Sequence, residues 1–207
     1  MSTEANPRST DDRSPAPVWA ALAMIAGGLV QVGLWPIFTR LHGPTSFNED
    51  KELLGGEAQL WGALMEGPSS LLIAAGLAGA YSLLVAPAGR AGRIGFWMAL
   101  AGLVIPAVFS LAIRETVPPL LTPVLGTGLV VMAYSSRGVA TMSVLQRFLL
   151  AALGTTQLFA FLWTLAVRPD LMDRIDGYRI YGVVANVLFG VGWIVLGLSL
   201  VALARRA

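Results

Sequence analysis

The sequence predicts an all-α polytopic membrane protein, built as a bundle of six transmembrane helices with both termini in the cytoplasm. Composition is the first reason: 56% of the 207 residues are hydrophobic and only 13% are charged, with a mean hydropathy of +0.70. A soluble domain would have about a quarter of its residues charged. The second reason is that six stretches lack Asp, Glu, Lys and Arg and are 19 to 23 residues long. About 20 helical residues cross a bilayer.

The six predicted spans are 17–39, 68–86, 94–113, 116–134, 148–167 and 181–203. Residues 1–16 are polar and contain proline, so they are predicted to form a disordered cytoplasmic tail. The first apolar run is longer than the roughly 7–15 residues of a signal peptide core, and it is therefore predicted to remain as a span. The spans do not alternate apolar and polar residues, as barrel strands would.

The connections predict the order of the bundle. Segment 40–67 is the longest connection, and it is predicted to be extracytoplasmic, with a short interfacial helix that places Trp61 among the lipid headgroups. The other connections are short, which makes consecutive helices antiparallel neighbours. With the N-terminus inside, eight Lys and Arg residues lie on the cytoplasmic side and six outside, as the positive-inside rule favours. The expected location is the inner or plasma membrane of a bacterium, because an alanine- and glycine-rich multispan chain is typical of one.

Glu66 stands next to an apolar run, directly before Gly67 and Pro68. Proline is favoured in the first turn of a helix, so the favoured interpretation starts the second span at Pro68 and leaves Glu66 solvated at the outer boundary. The alternative is one long helix over 58–86, kinked at Pro68. Glu66 would then point into the bundle toward Gln31 or Asn186, where a carboxylate can carry protons or bind a cation.

Three amides lie within the predicted spans, and polar groups there usually face other helices or a cavity. Gln157 and Trp193 have matching depths in the fifth and sixth spans, which predicts a hydrogen bond from the indole N–H to the amide oxygen. Gln31 and Asn186 are candidates either for contacts between helices or for the lining of an outward-facing cavity. Together with Glu66 and Gln157, they form the candidate solute or ion site.

Glycines and prolines within the spans predict how the helices pack. Glycines and the pattern Ala75-x-x-x-Gly79 predict close approach of neighbouring helices. Pro106 and Pro123 are expected to interrupt the helical hydrogen bonds of the third and fourth spans.

Several classes of site are excluded or disfavoured. The chain has no cysteine, which removes disulfides and thiolate metal sites. His42 is the single histidine, and the acidic residues of the outer loops do not match a calcium-binding loop. No catalytic residue, metal site or cofactor is predicted. The net charge of +2 and the absence of a basic run disfavour nucleic acid as a partner.

The favoured function is a non-enzymatic accessory, assembly or sensor-like membrane component, since no charge lies deep in any predicted span. The alternative is a small-solute or proton-coupled transporter that uses Glu66, Gln31, Gln157 and Asn186, and a water-filled cavity reaching Gln157 would favour it. A third hypothesis is an enzyme acting on a lipid at the outer interface, with His42 and outer acids. The expected partners are the lipid bilayer and a membrane protein or second copy of the chain.

Overall fold

The computed structural model describes residues 18–42, 52–53, 56–116, 120–166 and 181–205. Its α-helices are α1 (Val18–His42), α2 (Ala58–Gly79), α3 (Tyr81–Leu84), α4 (Gly89–Ile113), α5 (Thr122–Ser135), α6 (Val144–Ala166) and α7 (Phe189–Ala204). A 3-10 helix (Ala86–Ala88) precedes α4, and a π-helix (Val183–Leu188) leads directly into α7. Two short strands, β1 (Glu52–Leu53) and β2 (Gly56–Glu57), pair antiparallel before α2. The predicted tail 1–16 and the connection 168–180 lie outside the described residues.

The chain is an α-helical membrane protein, as the sequence predicted. Five stretches within the described residues are long and apolar enough to cross a membrane, namely Val18–Ile37, Gln59–Gly79, Tyr81–Ile113, Val144–Ala166 and Val183–Ala204. Large apolar side chains cover the outside of the bundle: Trp97, Phe109 and Phe148 are each more than 60% exposed. In water such a surface would drive association, whereas in a bilayer it faces lipid.

The predicted fourth span, 116–134, is shorter than expected. Helix α5 has 14 residues, fewer than the roughly 20 that cross the hydrocarbon core. Arg114 ends α4 in the left-handed conformation, with φ of 60°, and its N–H binds the Ser110 carbonyl. Pro123 lies in the first turn of α5, where a missing N–H costs nothing, so the expected interruption by Pro123 is wrong.

The favoured interpretation of Glu66 is also wrong, because α2 runs without a break through Gly67 and Pro68. The Ser69 hydroxyl donates to the Glu66 carbonyl at 3.2 Å, and Gly67 packs so closely on α4 that a Cβ atom there would lie 2.5 Å from the Leu111 side chain. Contact with α4 therefore outweighs the local signal for a helix start. Residues 58–66 are the first turns of α2 rather than a separate interfacial helix.

Six helices form a closed ring in the order α1, α2, α4, α5, α6, α7 and back to α1. Neighbours in the ring are antiparallel. In the pair α1 and α7, for example, Gly28 lies beside Gly190 while Ala21 lies beside Gly197. At the other pairs too, later residues of one helix contact earlier residues of its neighbour. The prediction of antiparallel sequential neighbours is confirmed, and contact between the first and last helices closes the ring.

Glycines bring the backbones together around this ring. A Cβ atom on Gly28 would lie 2.5 Å from the Gly190 carbonyl oxygen, and one on Gly154 would lie 2.5 Å from that of Gly126. Ala75 is exposed on the outside of α2, and it is Gly76 that packs on the α1 backbone. The predicted packing role of the glycines is therefore confirmed, although at Gly76 rather than Ala75.

Substitution of Gly28 by alanine is expected to destabilise the protein by about 1–3 kcal/mol, because the new methyl group must push α1 and α7 apart. Gly33 is the matched control on the same helix, since a Cβ atom there would meet nothing within 4 Å. Gly33→Ala should be neutral or slightly stabilising. Thermal unfolding of both variants in detergent measures the difference. Equal unfolding temperatures for the two variants would contradict this account of the packing.

Candidate functional site

A cavity of about 80 Å³ lies inside the ring and is lined by residues from all six helical walls. It occupies the half of the bundle where α1, α4 and α6 end and α2 and α5 begin. A single water needs roughly 10–15 Å³ on this measure, so the cavity has room for a few waters or one small solute. Its polar lining comes from Gln31, Glu66, Ser70, Thr122, Gln157, Tyr181 and Asn186.

The four candidate residues chosen from the sequence all line this one cavity. Gln31 comes from α1, Glu66 from α2 and Gln157 from α6, and Asn186 comes from the π-helix. The chain places them up to 155 positions apart. Their proposed role in binding a solute or ion remains a prediction, but the geometry that this role requires is present.

Gln31 and Asn186 form a buried pair. The Gln31 Nε2 atom donates to Asn186 Oδ1 at 3.1 Å, and the two side chains are only 5% and 6% exposed. The Gln31 Oε1 atom is buried and accepts no hydrogen bond from the described residues. Buried polar atoms nearly always have a partner, so this acceptor at the cavity lining is one that a ligand or water can satisfy.

Gln157 does not pair with Trp193, and this prediction is wrong. The Gln157 Nε2 atom donates to the Ala185 carbonyl at 3.2 Å, while the Trp193 indole N–H is buried without a partner among the described residues. Leu153 lies beside Gly192, so Trp193 sits about one turn deeper than Gln157. Trp193 instead packs edge-on against Phe189, with ring centroids 5.8 Å apart.

Glu66 is the one acidic residue in the cavity lining, and no Lys, Arg or His of the described residues accompanies it there. Its side chain is partly buried and makes no hydrogen bond or ion pair within the described part of the chain. Glu66 lines the cavity, as the alternative interpretation of the sequence expected, although α2 ends at Gly79 and not at residue 86. A carboxylate in such a site requires a positive partner or a proton.

Sequence reasoning missed Ser70 and Tyr181. Ser70 follows Glu66 by four residues and therefore shares its helix face, a signal that was present in the sequence. Tyr181 lines the cavity together with Ala185 and Phe189. These residues are four apart, the spacing of one α-helix face, so this signal too was present in the sequence.

The side chain of His42 and the acidic residues at 49, 50, 170, 173 and 176 lie outside the described residues. Among the described residues there is no group of three or more His, Cys, Asp or Glu that could hold a metal ion. The lipid enzyme hypothesis remains a prediction without a described site.

Comparison of the chain with protein-family models, with curated proteins and with solved structures finds no match. The function is therefore inferred from the fold and the cavity.

Proposed function

We propose that this protein is a membrane carrier for a small polar solute, with the cavity inside the helix ring as its binding site. One observation supports this over an accessory or sensor-like component: four polar side chains from four separate helical segments meet in a single cavity. Polar residues inside a membrane domain are costly and usually mark substrate or ion pathways. Contacts between helices alone would not require a Gln31 oxygen and a Glu66 carboxylate that lack partners among the described residues.

The ring arrangement supports six crossings of the membrane, with both termini of the chain in the cytoplasm. Helix α5 is antiparallel to both α4 and α6, so the chain returns across the bilayer between them although α5 itself is short. Arg90, Arg93 and Arg137 are exposed at one end of the bundle, where Trp97 and Tyr134 are also exposed. This end fits the cytoplasmic interface of a bacterial inner or plasma membrane.

The two halves of the bundle differ in the way that alternating access requires. The cavity occupies the half predicted to face outward. The opposite half is filled by apolar side chains such as Met132, Leu196 and Leu200, which are fully or almost fully buried. A carrier exposes a central site to each side of the membrane in turn. The described conformation then corresponds to a state closed on the cytoplasmic side.

Single-cysteine labelling tests this proposal, because the chain contains no cysteine of its own. Ser70→Cys places a thiol at the cavity, and Ala75→Cys places one on the lipid-facing side of the same helix. Thiol reagents attack the ionised thiol, which forms only in contact with water. We expect a membrane-impermeant reagent to label Ser70→Cys in both right-side-out and inverted vesicles, and to leave Ala75→Cys unlabelled.

Labelling of Ser70→Cys from one side alone would indicate a fixed pocket, as in a sensor-like component, and would overturn the carrier proposal. No labelling from either side would mean a dry cavity and would overturn it as well.

A further inference from the structure

We propose that the solute is a small alkylammonium ion, meaning a cation with N–H donors and a short apolar body. This inference rests on the proposed function, because it takes the same cavity as the binding site. It follows from the charge, the hydrogen-bonding groups and the apolar surface that the cavity presents.

Charge is the first argument. Among the described residues of the lining, Glu66 is the only carboxylic acid, and no Lys, Arg or His accompanies it. An anionic solute would add a second negative charge to a site without compensation, at high cost. A cationic solute supplies the missing positive partner.

Hydrogen-bond acceptors are the second argument. The Gln31 Oε1 atom is buried and unpartnered among the described residues. The Gln157 Nε2 atom donates a hydrogen bond to the Ala185 carbonyl, which leaves the Gln157 Oε1 atom available as an acceptor. Pro106 has no N–H to donate to the Gly102 carbonyl four residues earlier, and both residues line the cavity. An ammonium group has N–H donors and no acceptor, so it matches a site rich in acceptors.

The apolar surface is the third argument, and it separates an alkylammonium from a metal ion. The wall formed by α4 and α5 is the mainly apolar side of the cavity, because Thr122 is its one polar side chain among the described residues, whereas Glu66 and the amides come from the other helices. Its apolar residues are Leu103, Pro106, Ala107, Leu121 and Leu125. A hard metal cation favours a shell of six or more oxygen ligands. A short alkyl group instead fits the apolar side while its ammonium group meets the polar side.

Binding of radiolabelled methylammonium to the purified protein in detergent tests the inference. We expect saturable binding that is competed by ammonium, but not by equal concentrations of sodium or of tetramethylammonium, which lacks N–H donors. Glu66→Gln should weaken binding at least about tenfold, because it removes a charged hydrogen-bond acceptor. Glu115→Gln is the matched control, since Glu115 is exposed at the end of α4.

A second measurement leaves Glu66 intact, in case Glu66→Gln does not fold. Methylammonium should slow thiol labelling of Ser70→Cys severalfold. Absence of methylammonium binding, or equal competition by sodium, would overturn the proposed solute class. If Ser70→Cys is nevertheless labelled from both sides, the carrier proposal stands while the proposed solute class fails. The two proposals can therefore fail separately.

Discussion

Substitution of Ser70 by leucine is expected to abolish methylammonium binding. Ser70 lies one turn after Glu66 on α2, and its side chain is part of the lining of a cavity of about 80 Å³. A leucine side chain would occupy much of that volume and would cover the Glu66 carboxylate with apolar atoms. We expect the affinity to fall by at least about tenfold, because the leucine takes the space of the solute and separates it from Glu66.

Ala75→Leu is the control for this experiment, since it adds the same side chain on the lipid-facing side of α2. It should leave both binding and stability unchanged. Wild-type affinity in Ser70→Leu, measured on a protein that elutes as a folded species, would mean that the solute binds elsewhere.

Substitution of Gly182 by alanine is expected to cause the largest loss of stability, about 3 kcal/mol or more. A Cβ atom on Gly182 would overlap the six-membered ring of the Trp35 indole. Trp35 is only 8% exposed and packs in a cluster with Met65, so its ring has little space in which to move. The added methyl group must therefore separate the start of the last helical segment from α1, beside Tyr181 in the cavity lining.

Thermal unfolding and the yield of folded protein after size-exclusion chromatography measure this effect. Gly182→Ala should cost much less stability in a Trp35→Ala background than in the wild-type chain, because the side chain that the new methyl group meets is then absent. An equal loss in both backgrounds would show that another contact causes it.

The fold class could be predicted from the sequence because it depends on apolar runs of sufficient length. The three amides of the cavity lining, Gln31, Gln157 and Asn186, could be predicted for a similar reason, since an amide within an apolar helix needs a polar partner or a cavity. In both α1 and α6, a glycine that packs on a neighbouring helix precedes by three residues the glutamine that lines the cavity, namely Gly28 before Gln31 and Gly154 before Gln157.

Other features depend on tertiary contacts and could not be predicted. Gly67-Pro68 is a valid local signal for a helix start, but packing of Gly67 on Leu111 keeps α2 continuous and turns Glu66 inward. The matching depths of Gln157 and Trp193 in their predicted spans suggested a hydrogen bond between them. In the structure the Ala185 carbonyl, within the π-helix, lies opposite Gln157 instead. A wider helical turn changes which backbone carbonyl can accept a hydrogen bond from a neighbouring helix, and hydropathy does not record it.

The contact between α1 and α7 has a consequence for how the fold can be encoded. Because the first and last helices are ring neighbours and antiparallel, the end of α7 and the start of α1 lie at the same end of the bundle. A short peptide joining them, with a new opening in the turn 136–143, would give a circular permutant in which every neighbour in the ring is kept. The genetic order of the helices is thus one of several that specify the same architecture.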